Sequence, residues 1–351
     1  MNDTLNEFTG RVKELIGLSR KPTKRVVDVH LIVNPKAGRF RRESTIDTIV
    51  KGLEEEIVKI KHSNHYTRYI HFEEYRTEFE GHADEFGHKI AAEPTDSAYK
   101  LIIVASGDGG YNEVCSGILK TKNKTRDIRL LHVPLGSGND TAEVKDIKQS
   151  YELITGAHKI KKGNAVKISD SAGDVSYAFN IASIGLDGYV AHVANEIKKV
   201  FGETSYWVAS KIAPISYYLR KPSSSIDFFT VYYPIGTSNW EHYQNNRLIT
   251  AIGAKGNSEY GHGMKILPDE NNVCTVQHMN LLRLLQNEPI FYKGQHGILP
   301  EVHFYKSNRI EFKSTQPLWL QRDGQTSKVS LKQYPLIFEI MEKCINKVIP
   351  E

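Results

Sequence analysis

Two short glycine-rich segments are the part of this sequence best suited to chemistry. Residues 106–110 read S-G-D-G-G and follow an apolar run at 101–105, and residues 135–140 read L-G-S-G-N-D and follow a strand-like segment at 130–134. Such strand-to-loop junctions are where α/β proteins bind phosphates. Glycine lets the backbone approach a ligand closely, and the free N–H groups at a following helix start favour an anion.

A carboxylate inside the first segment, Asp108, needs a separate explanation. It would repel a bare polyphosphate, so it indicates a metal ion, a proton acceptor or a hydroxyl partner at that point. Gly, Asn and Asp are also ordinary turn residues, so either segment alone is equally compatible with a plain connection. The two segments together favour a nucleotide site.

The chain resembles the lipid kinases with a diacylglycerol kinase catalytic domain, a group that includes bacterial diacylglycerol kinases and sphingosine and ceramide kinases and has an NAD-kinase-like fold. Three family motifs carry the resemblance: N-P-x-A/S-G, G-G-D-G-T-x-N-E-V and P-L-G-T-G-N-D. This sequence has N-P-K-A-G at 34–38, S-G-D-G-G-Y-N-E-V at 106–114 and P-L-G-S-G-N-D at 134–140. Three matches in the right order are a far stronger signal than one.

The resemblance implies a kinase that transfers the ATP γ-phosphoryl group to a lipid hydroxyl, with diacylglycerol or a related lipid as acceptor and Mg²⁺ as cofactor. Asp108 would lie where phosphate, Mg²⁺ and acceptor meet. Carried over residue by residue, the implied ATP site consists of Asn34, Pro35, Lys36, Gly38, Arg39, Ser106, Gly107, Gly109, Gly110, Asn112, Glu113, Gly136, Ser137, Gly138, Asn139 and Asp140.

A second catalytic candidate, Asp323, lies in the Asp-Gly pair that matches the family's D-G-E. There it is a proposed base for the lipid hydroxyl, although Asp-Gly is equally a favoured hairpin turn. Gln325 stands where the family has Glu and cannot ionise. Asp187 belongs to G-L-D-G at 185–188, a softened copy of the family's G-F-D-A.

The departures from the family pattern keep two other functions open. Ser106 and Gly110 replace a Gly and a Thr, and the family's D-G-x-L-D is missing after residue 268. One alternative is an NAD-kinase-like enzyme that phosphorylates a soluble nucleotide. The other is a nucleotide- or lipid-binding relative without catalysis, which Gln325 motivates.

Composition limits the class of protein and its location. The apolar runs are far shorter than the ~18 residues of a membrane span, and the first residues lack the features of a secretory signal. Cys115, Cys274 and Cys344 are odd in number and widely spaced, against a disulfide framework or zinc site. We expect a cytoplasmic protein that visits a membrane surface, binds no nucleic acid, and has exposed strand edges through which a homodimer can form.

The element pattern predicts an α/β protein with two domains. Apolar runs alternate with helical periodicity up to residue 145, which predicts a parallel-sheet ATP-binding domain at 26–145 behind a helical extension at 1–25. A capping box at 77–80 predicts a helix start there with Phe79 inward. Short strands then predict a β-sandwich-like, lipid-binding domain at 146–332 with helical insertions, and 333–351 returns to the first domain.

Overall fold

The computed structural model describes the chain except residues 1, 21–25, 42, 64, 125–126, 137–138, 140, 156–157, 202–204, 220–225, 233–239 and 261–262. The chain forms two compact units. One consists of Met1–Gly163 with Lys343–Glu351, and the other of Asn164–Glu342. The limits proposed from composition, 145 and 332, precede these bounds in the chain.

The first unit is a parallel sheet with helices. Its elements are α1 (Asn2–Ile16), β1 (Leu18–Ser19), β2 (Val27–Val33), α2 (Glu43–Lys61), β3 (Tyr66–Thr67), β4 (Ile70–Arg76), α3 (His82–Ala92), β5 (Lys100–Ser106), α4 (Asp108–Lys120), β6 (Ile128–Pro134), α5 (Ile147–Thr155) and the start of β7 (His158–Ser169). The strand order is β4-β2-β5-β6, and all three pairings are parallel.

Burial explains why these segments form these elements. All seven residues of β5 are buried, as expected for an inner strand of a parallel sheet covered on both faces. Helix α2 buries one apolar stripe at helical spacing, and α1 does the same with Leu5, Phe8, Val12, Leu15 and Ile16, all in the core of this unit. Helix α1 therefore packs into the core of the first unit.

The second unit is mainly antiparallel. After the end of β7 it contains β8 (Val175–Ala178), β9 (Ile181–Gly185), α6 (Leu186–Phe201), α7 (Ser205–Leu219), β10 (Ile226–Tyr232), β11 (Trp240–Gly253), β12 (Ser258–Tyr260), β13 (Met264–Leu267), β14 (Val273–Gln277), α8 (Leu281–Tyr292), β15 (Val302–Tyr305), β16 (Arg309–Lys313), β17 (Leu318–Arg322), β18 (Gln325–Val329) and most of β19 (Leu336–Pro350). Its long strand β11 pairs with β9, β10 and β14.

This unit has two hydrophobic clusters. One includes residues of α6, α7 and α8, and the other lies among the strands. The predicted fold class, a parallel-sheet domain followed by a β-sandwich-like domain with helical insertions, is confirmed. The predicted helix start at residues 77–80 is wrong, because α3 begins at His82 after Gly81 in the left-handed region, and Phe79 is 55% exposed.

Candidate active site

The loops that follow β5 and β6 lie side by side at the carboxyl end of the parallel sheet. The Leu135 N–H donates to the Ser106 carbonyl over 2.9 Å. A Cβ atom added to Gly136 would lie 2.6 Å from the Gly107 Cα, so the two backbones meet where neither has a side chain. The structure therefore brings the two glycine-rich segments together, as strand ends of a parallel sheet require.

The loop after β2 joins the same site. The Asn34 N–H donates to the Ala105 carbonyl over 3.1 Å, and the Arg39 N–H donates to the Leu135 carbonyl over 3.0 Å. The Asn34 side chain accepts the Lys36 N–H at 2.9 Å, which closes a tight turn. Three loops from three adjacent strands thus share one edge, with Pro35 and Gly38 in the first of them. The Lys36 ammonium donates to the Glu78 carbonyl.

Asp108 is fixed at this junction. It is the first residue of α4, with Gly107 as the N-cap. Its Oδ1 atom accepts both the Thr141 N–H at 2.9 Å and the Thr141 hydroxyl at 2.7 Å. A helix N-terminus favours negative charge through its unpaired N–H groups and dipole. The Asp108 carboxylate is therefore held in one orientation at the N-terminus of α4, where the helix favours negative charge.

A histidine that the motifs do not mark lies behind Asp108. His132 belongs to β6, stacks on Tyr111 of α4 with ring centroids 4.5 Å apart, and has its Nε2 atom 3.1 Å from the Ser106 carbonyl. Burial lowers the pKa of His132 to about 4, although the Asp108 carboxylate acts in the opposite direction. The ring is therefore neutral at pH 7 and supports the loop without adding charge.

Beside His132 lies a small cavity of mixed polar and apolar lining that the sequence did not predict. Its lining includes Tyr111, His132, Thr141, Glu143 and Lys347. The Glu143 carboxylate accepts from the Lys347 ammonium at 3.2 Å, and a lysine of β7 donates to it as well. The Lys161 and Lys347 ammonium groups, acting against its partial burial, keep the pKa of Glu143 lowered. The Glu143–Lys347 ion pair therefore lines the same cavity as Thr141 and His132.

Asn139 shapes the second loop from within. Its side-chain carbonyl accepts the Gly136 N–H at 2.9 Å, and its amide donates to the Gly136 carbonyl at 2.9 Å. The residue is buried and has φ 55°, a left-handed conformation that Asn tolerates better than most side chains. The Asn139 side chain thus hydrogen-bonds both the N–H and the carbonyl group of Gly136. These two hydrogen bonds hold the loop in its conformation.

The other predicted site residues differ in position. Glu113 accepts N–H groups from Gly81 and Ala83 at the start of α3, and burial, against those bonds, raises the pKa of its carboxyl group. Asn112 is buried in α4, whereas Gly109 is exposed. Ser137, Gly138 and Asp140 lie outside the described residues.

In the second unit, Asp323 forms the hairpin turn between β17 and β18. Asp323 and Gly324 have φ 49° and 89°, as an Asp-Gly hairpin turn needs. Its carboxylate accepts backbone N–H groups from Phe179 at 2.6 Å, Asn180 at 3.0 Å and Ile181 at 2.8 Å. The side chain therefore ties this turn to the start of β9.

The remaining two candidates also lie in the second unit. Asp187, in the first turn of α6, is buried and accepts hydrogen bonds from the Ser183 and Tyr260 hydroxyl groups. Gln325 begins β18 and pairs across the hairpin with Arg322. Asp187 is thus part of a buried polar network, and Gln325 sits directly after the Asp323 turn.

Comparison with known proteins identifies both parts of the chain. A family model described as the diacylglycerol kinase catalytic domain matches residues 28–171, and one described as the YegS C-terminal NAD kinase beta sandwich-like domain matches residues 180–348. Residues 28–171 thus belong to the diacylglycerol kinase catalytic-domain family. The resemblance drawn from the three motifs is confirmed.

Individual relatives are distant. A diacylglycerol kinase of Staphylococcus aureus (strain bovine RF122 / ET3-1) is 24% identical over 84% of this chain and 85% of its own length. One from Staphylococcus saprophyticus is 24% identical over 67% of this chain and 73% of its own length. A crystal structure of a Bacillus anthracis diacylglycerol kinase matches 93% of this chain and 97% of that one, with a TM-score of 0.57 and 16% identity, and so supports the fold.

Among the helices of the described residues, none is long and apolar enough to cross a membrane. Within the same residues, no group of three or more His, Cys, Asp or Glu side chains gathers as a metal-ligand set.

Proposed function

We propose that this family member is an ATP-dependent kinase that phosphorylates a lipid hydroxyl, with diacylglycerol or a related lipid as acceptor. Membership in the diacylglycerol kinase catalytic-domain family supports kinase chemistry. The observation that carries the proposal is the meeting of three loops at the N-terminus of α4, with Gly107 against Gly136 and Asp108 between them. Phosphoryl transfer depends mainly on such positioning and on electrostatic stabilisation.

Asp108 is the preferred proton acceptor for the lipid hydroxyl. Its position is set by Thr141 through Oδ1, so the carboxylate need not be ordered when substrate binds. Asp323 is a weaker candidate because Oδ1 accepts two backbone N–H groups and Oδ2 accepts a third. Those bonds commit the Asp323 carboxylate to holding its hairpin.

The residues at the α4 N-terminus fit a Mg²⁺ ion that arrives with ATP. Phosphoryl-transfer enzymes usually hold this ion with one or two carboxylates, substrate phosphate oxygens and water. Asp108 provides a carboxylate that is held in place at the N-terminus of α4, a kind of helix end that favours anions. Bound there, the ion would supply neutralisation of phosphate charge. The backbone of Gly109, which is exposed, would lie against the phosphates, as the motif resemblance implies.

A lipid acceptor agrees with the exposed face of α7. Trp207, Ile212, Ile215 and Leu219 of this helix are 60%, 45%, 42% and 77% exposed. Residues 207, 215 and 219 recur near helical spacing, so they form one apolar stripe, which we call the α7 stripe together with Ile212. Exposed apolar stripes of this kind mark partner or membrane contacts. We infer that the α7 stripe touches the membrane that holds the acceptor.

The deciding experiment is a phosphorylation assay with Mg²⁺, ATP labelled in the γ position and a panel of acceptors: diacylglycerol, sphingosine, ceramide and NAD. We expect a lipid to be labelled, and Asp108→Asn to lower kcat by about 100-fold or more, the usual contribution of a general base. Thr141→Val keeps the carboxylate and removes one donor, so its loss should be smaller.

Asp323→Asn is the matched control for the alternative base. We expect it to lower the unfolding temperature while turnover per folded molecule stays near the wild-type value. Labelling of NAD in preference to every lipid would support the NAD-kinase-like alternative instead. Wild-type turnover in Asp108→Asn would remove the role given to Asp108, and ATP binding without turnover on the whole panel would favour a non-catalytic relative.

A further inference from the structure

A group of polar side chains shares one face of the sheet in the second unit. Thr250 of β11 is the direct partner of Thr275 of β14, which is the direct partner of His303 of β15. Arg247 is the partner of Gln277 on the same two strands. Directly opposed residues share a sheet face, and so do residues two apart on one strand. All five side chains therefore lie on one face.

That face is the one that packs into the strand-side core. Ile252 and Val273, which continue the same rows, belong to the hydrophobic cluster among the strands. Arg247 is 1% exposed, and Thr250 and Thr275 are fully buried. The polar group thus interrupts an apolar interior.

These donors lack acceptors within the part of the chain that the structure describes. The Arg247 Nε and Nη1 atoms and the Thr250 and Thr275 hydroxyl groups are buried without a hydrogen-bond partner there. The guanidinium carbon lies 5.2 Å from the Phe229 ring centre and 5.8 Å from that of Tyr243. Ring faces attract a cation, but they do not replace acceptors for its in-plane N–H groups.

The positive charge of Arg247 is also buried, and a buried charge without a counter-charge is energetically unfavourable. Loss of water lowers the pKa of Arg247, yet an arginine stays protonated in proteins. Buried cations are normally paired, and among the described residues no carboxylate forms an ion pair with this one. Water can satisfy a hydroxyl group, but it cannot balance the guanidinium charge. An anion with several oxygen atoms does both.

We propose that Arg247, Thr250 and Thr275 form an oxyanion-binding site in the second unit, which takes a phosphate group, either free or as the head group of an anionic lipid. Guanidinium and hydroxyl donors are the usual partners of phosphate oxygens. Gln277 and His303, whose Nε2 atoms lie 3.4 Å apart, border the site. The proposal needs neither ATP nor a lipid acceptor, so it stands apart from the proposed kinase reaction.

The test compares thermal unfolding of the full chain in sodium phosphate and in sodium chloride of equal ionic strength. Saturating phosphate should raise the unfolding temperature of the wild type by about 4 °C or more, and Arg247→Met should lose that part of the response. Stabilisation that comes from phosphate bound in the first unit should persist in Arg247→Met. The test is therefore the difference between the wild type and Arg247→Met in the rise of unfolding temperature. Arg309→Met is the matched control, because Arg309 also lies over a tyrosine ring but is paired with Glu339.

A second variant covers the case in which Arg247→Met does not fold. Thr275→Val keeps the shape of the side chain and removes one donor, so it should weaken phosphate binding about tenfold, measured by titration calorimetry. Equal phosphate responses in wild type, Arg247→Met and Thr275→Val overturn the proposal.

Vesicles separate the two sources of the phosphate group. Phosphatidylcholine vesicles with and without phosphatidate are added in place of inorganic phosphate. Stabilisation by phosphate alone supports a free ion as ligand, and stabilisation only by phosphatidate, lost in Arg247→Met, supports a lipid head group. No Arg247-dependent effect in either arm shows that the guanidinium is a structural group of the core.

Discussion

Gly109 and Gly136 belong to the same candidate site but have different surroundings. A Cβ atom on Gly136 would meet the Gly107 Cα at 2.6 Å and the Asn139 Oδ1 at 3.0 Å. A Cβ atom on Gly109 would meet no heavy atom within 4 Å. The first glycine is therefore required by the protein itself. If the second is required, the reason is a ligand.

We expect Gly136→Ala to lower stability and ATP affinity together, because the two loops must separate. Gly109→Ala should keep or raise stability, since alanine favours a helix by up to about 1 kcal/mol over glycine. It should nevertheless weaken ATP binding, because a methyl group would stand where phosphate approaches. Thermal unfolding and ATP titration of both variants check this. Unchanged ATP affinity in Gly109→Ala would show that phosphate lies elsewhere.

Ser106 and Gly110 depart from the family motif as a pair. A Cβ atom on Gly110 would lie 2.7 Å from the Ser106 Oγ and 3.0 Å from its Cβ. The hydroxymethyl group of Ser106 thus fills the space that a side chain at 110 would need. In the family motif, Gly stands at the position of Ser106 and Thr at the position of Gly110. There the side chain that fills this space comes from the second position and not from the first.

We expect Gly110→Thr alone to destabilise the chain by about 1–3 kcal/mol, as overpacking in a buried site does. Adding Ser106→Gly should restore most of that stability. A double-mutant cycle from denaturant unfolding measures the coupling. Additive effects of the two substitutions would mean that the exchange is not compensatory.

At the residue scale the sequence located the loops but not their internal chemistry. Three motifs in order were enough to place Asp108 and Asn139 at one edge of a sheet, because parallel strands end on the same side. Thr141 lies just beyond the last motif, and His132 lies within a strand, so neither carried a motif signal. The use of the Asn139 side chain by Gly136 depends on a left-handed backbone that one sequence does not reveal.

At the element scale the start of α3 shows how a local signal can mislead. The T-E-F-E sequence at 77–80 satisfies the capping-box pattern, yet α3 begins at His82 without a side-chain cap of its own. The Glu113 carboxylate of α4 accepts the Gly81 and Ala83 N–H groups instead. A helix start satisfied from another helix is a tertiary contact, which local spacing does not encode.

The α7 stripe gives a prediction at the same scale. Trp207→Ser with Leu219→Ser should reduce sedimentation with diacylglycerol-containing vesicles by about tenfold, because two large apolar side chains leave the membrane boundary. Turnover on a short-chain, water-soluble diacylglycerol should be kept. Leu331→Ser is the control, since Leu331 is also exposed, at 52%, but lies outside α7. Vesicle binding that is lost equally in the control would remove the role of the stripe.

At the scale of the whole chain, the sequence predicted a parallel-sheet domain and the change to a β-sandwich-like domain of short strands. It placed the limit at 145, because the composition changes there. Helix α5 follows that point, but its Tyr151, Leu153 and Ile154 lie in the core of the first unit. Contacts thus assign α5 to the first unit, which ends at Gly163 and regains Lys343–Glu351. Composition depends only on the local sequence, so it does not show with which hydrophobic core a helix packs.

Two buried histidines of the first unit contribute to the acid sensitivity of the chain's stability. Burial, with Lys100 nearby, lowers the pKa of His30 to about 4, and burial lowers the pKa of His132 to about 4. Unfolded histidine titrates near 6.5. Between these values the unfolded chain binds more protons, so stability falls as pH drops from about 6.5 to about 4. Each histidine contributes a loss on the order of 3 kcal/mol over that window.

We therefore expect the free energy of unfolding to decrease steeply between pH 6.5 and pH 4, and His30→Gln to reduce that slope. Glutamine keeps a polar side chain of similar size and does not titrate, so its native and unfolded states bind the same number of protons at this position. His65→Gln, at an exposed position, is the control for the substitution itself. Denaturant unfolding at a series of pH values measures all three proteins. If the slope of His30→Gln equals that of the wild type, the His30 ring already carries a proton in the folded chain.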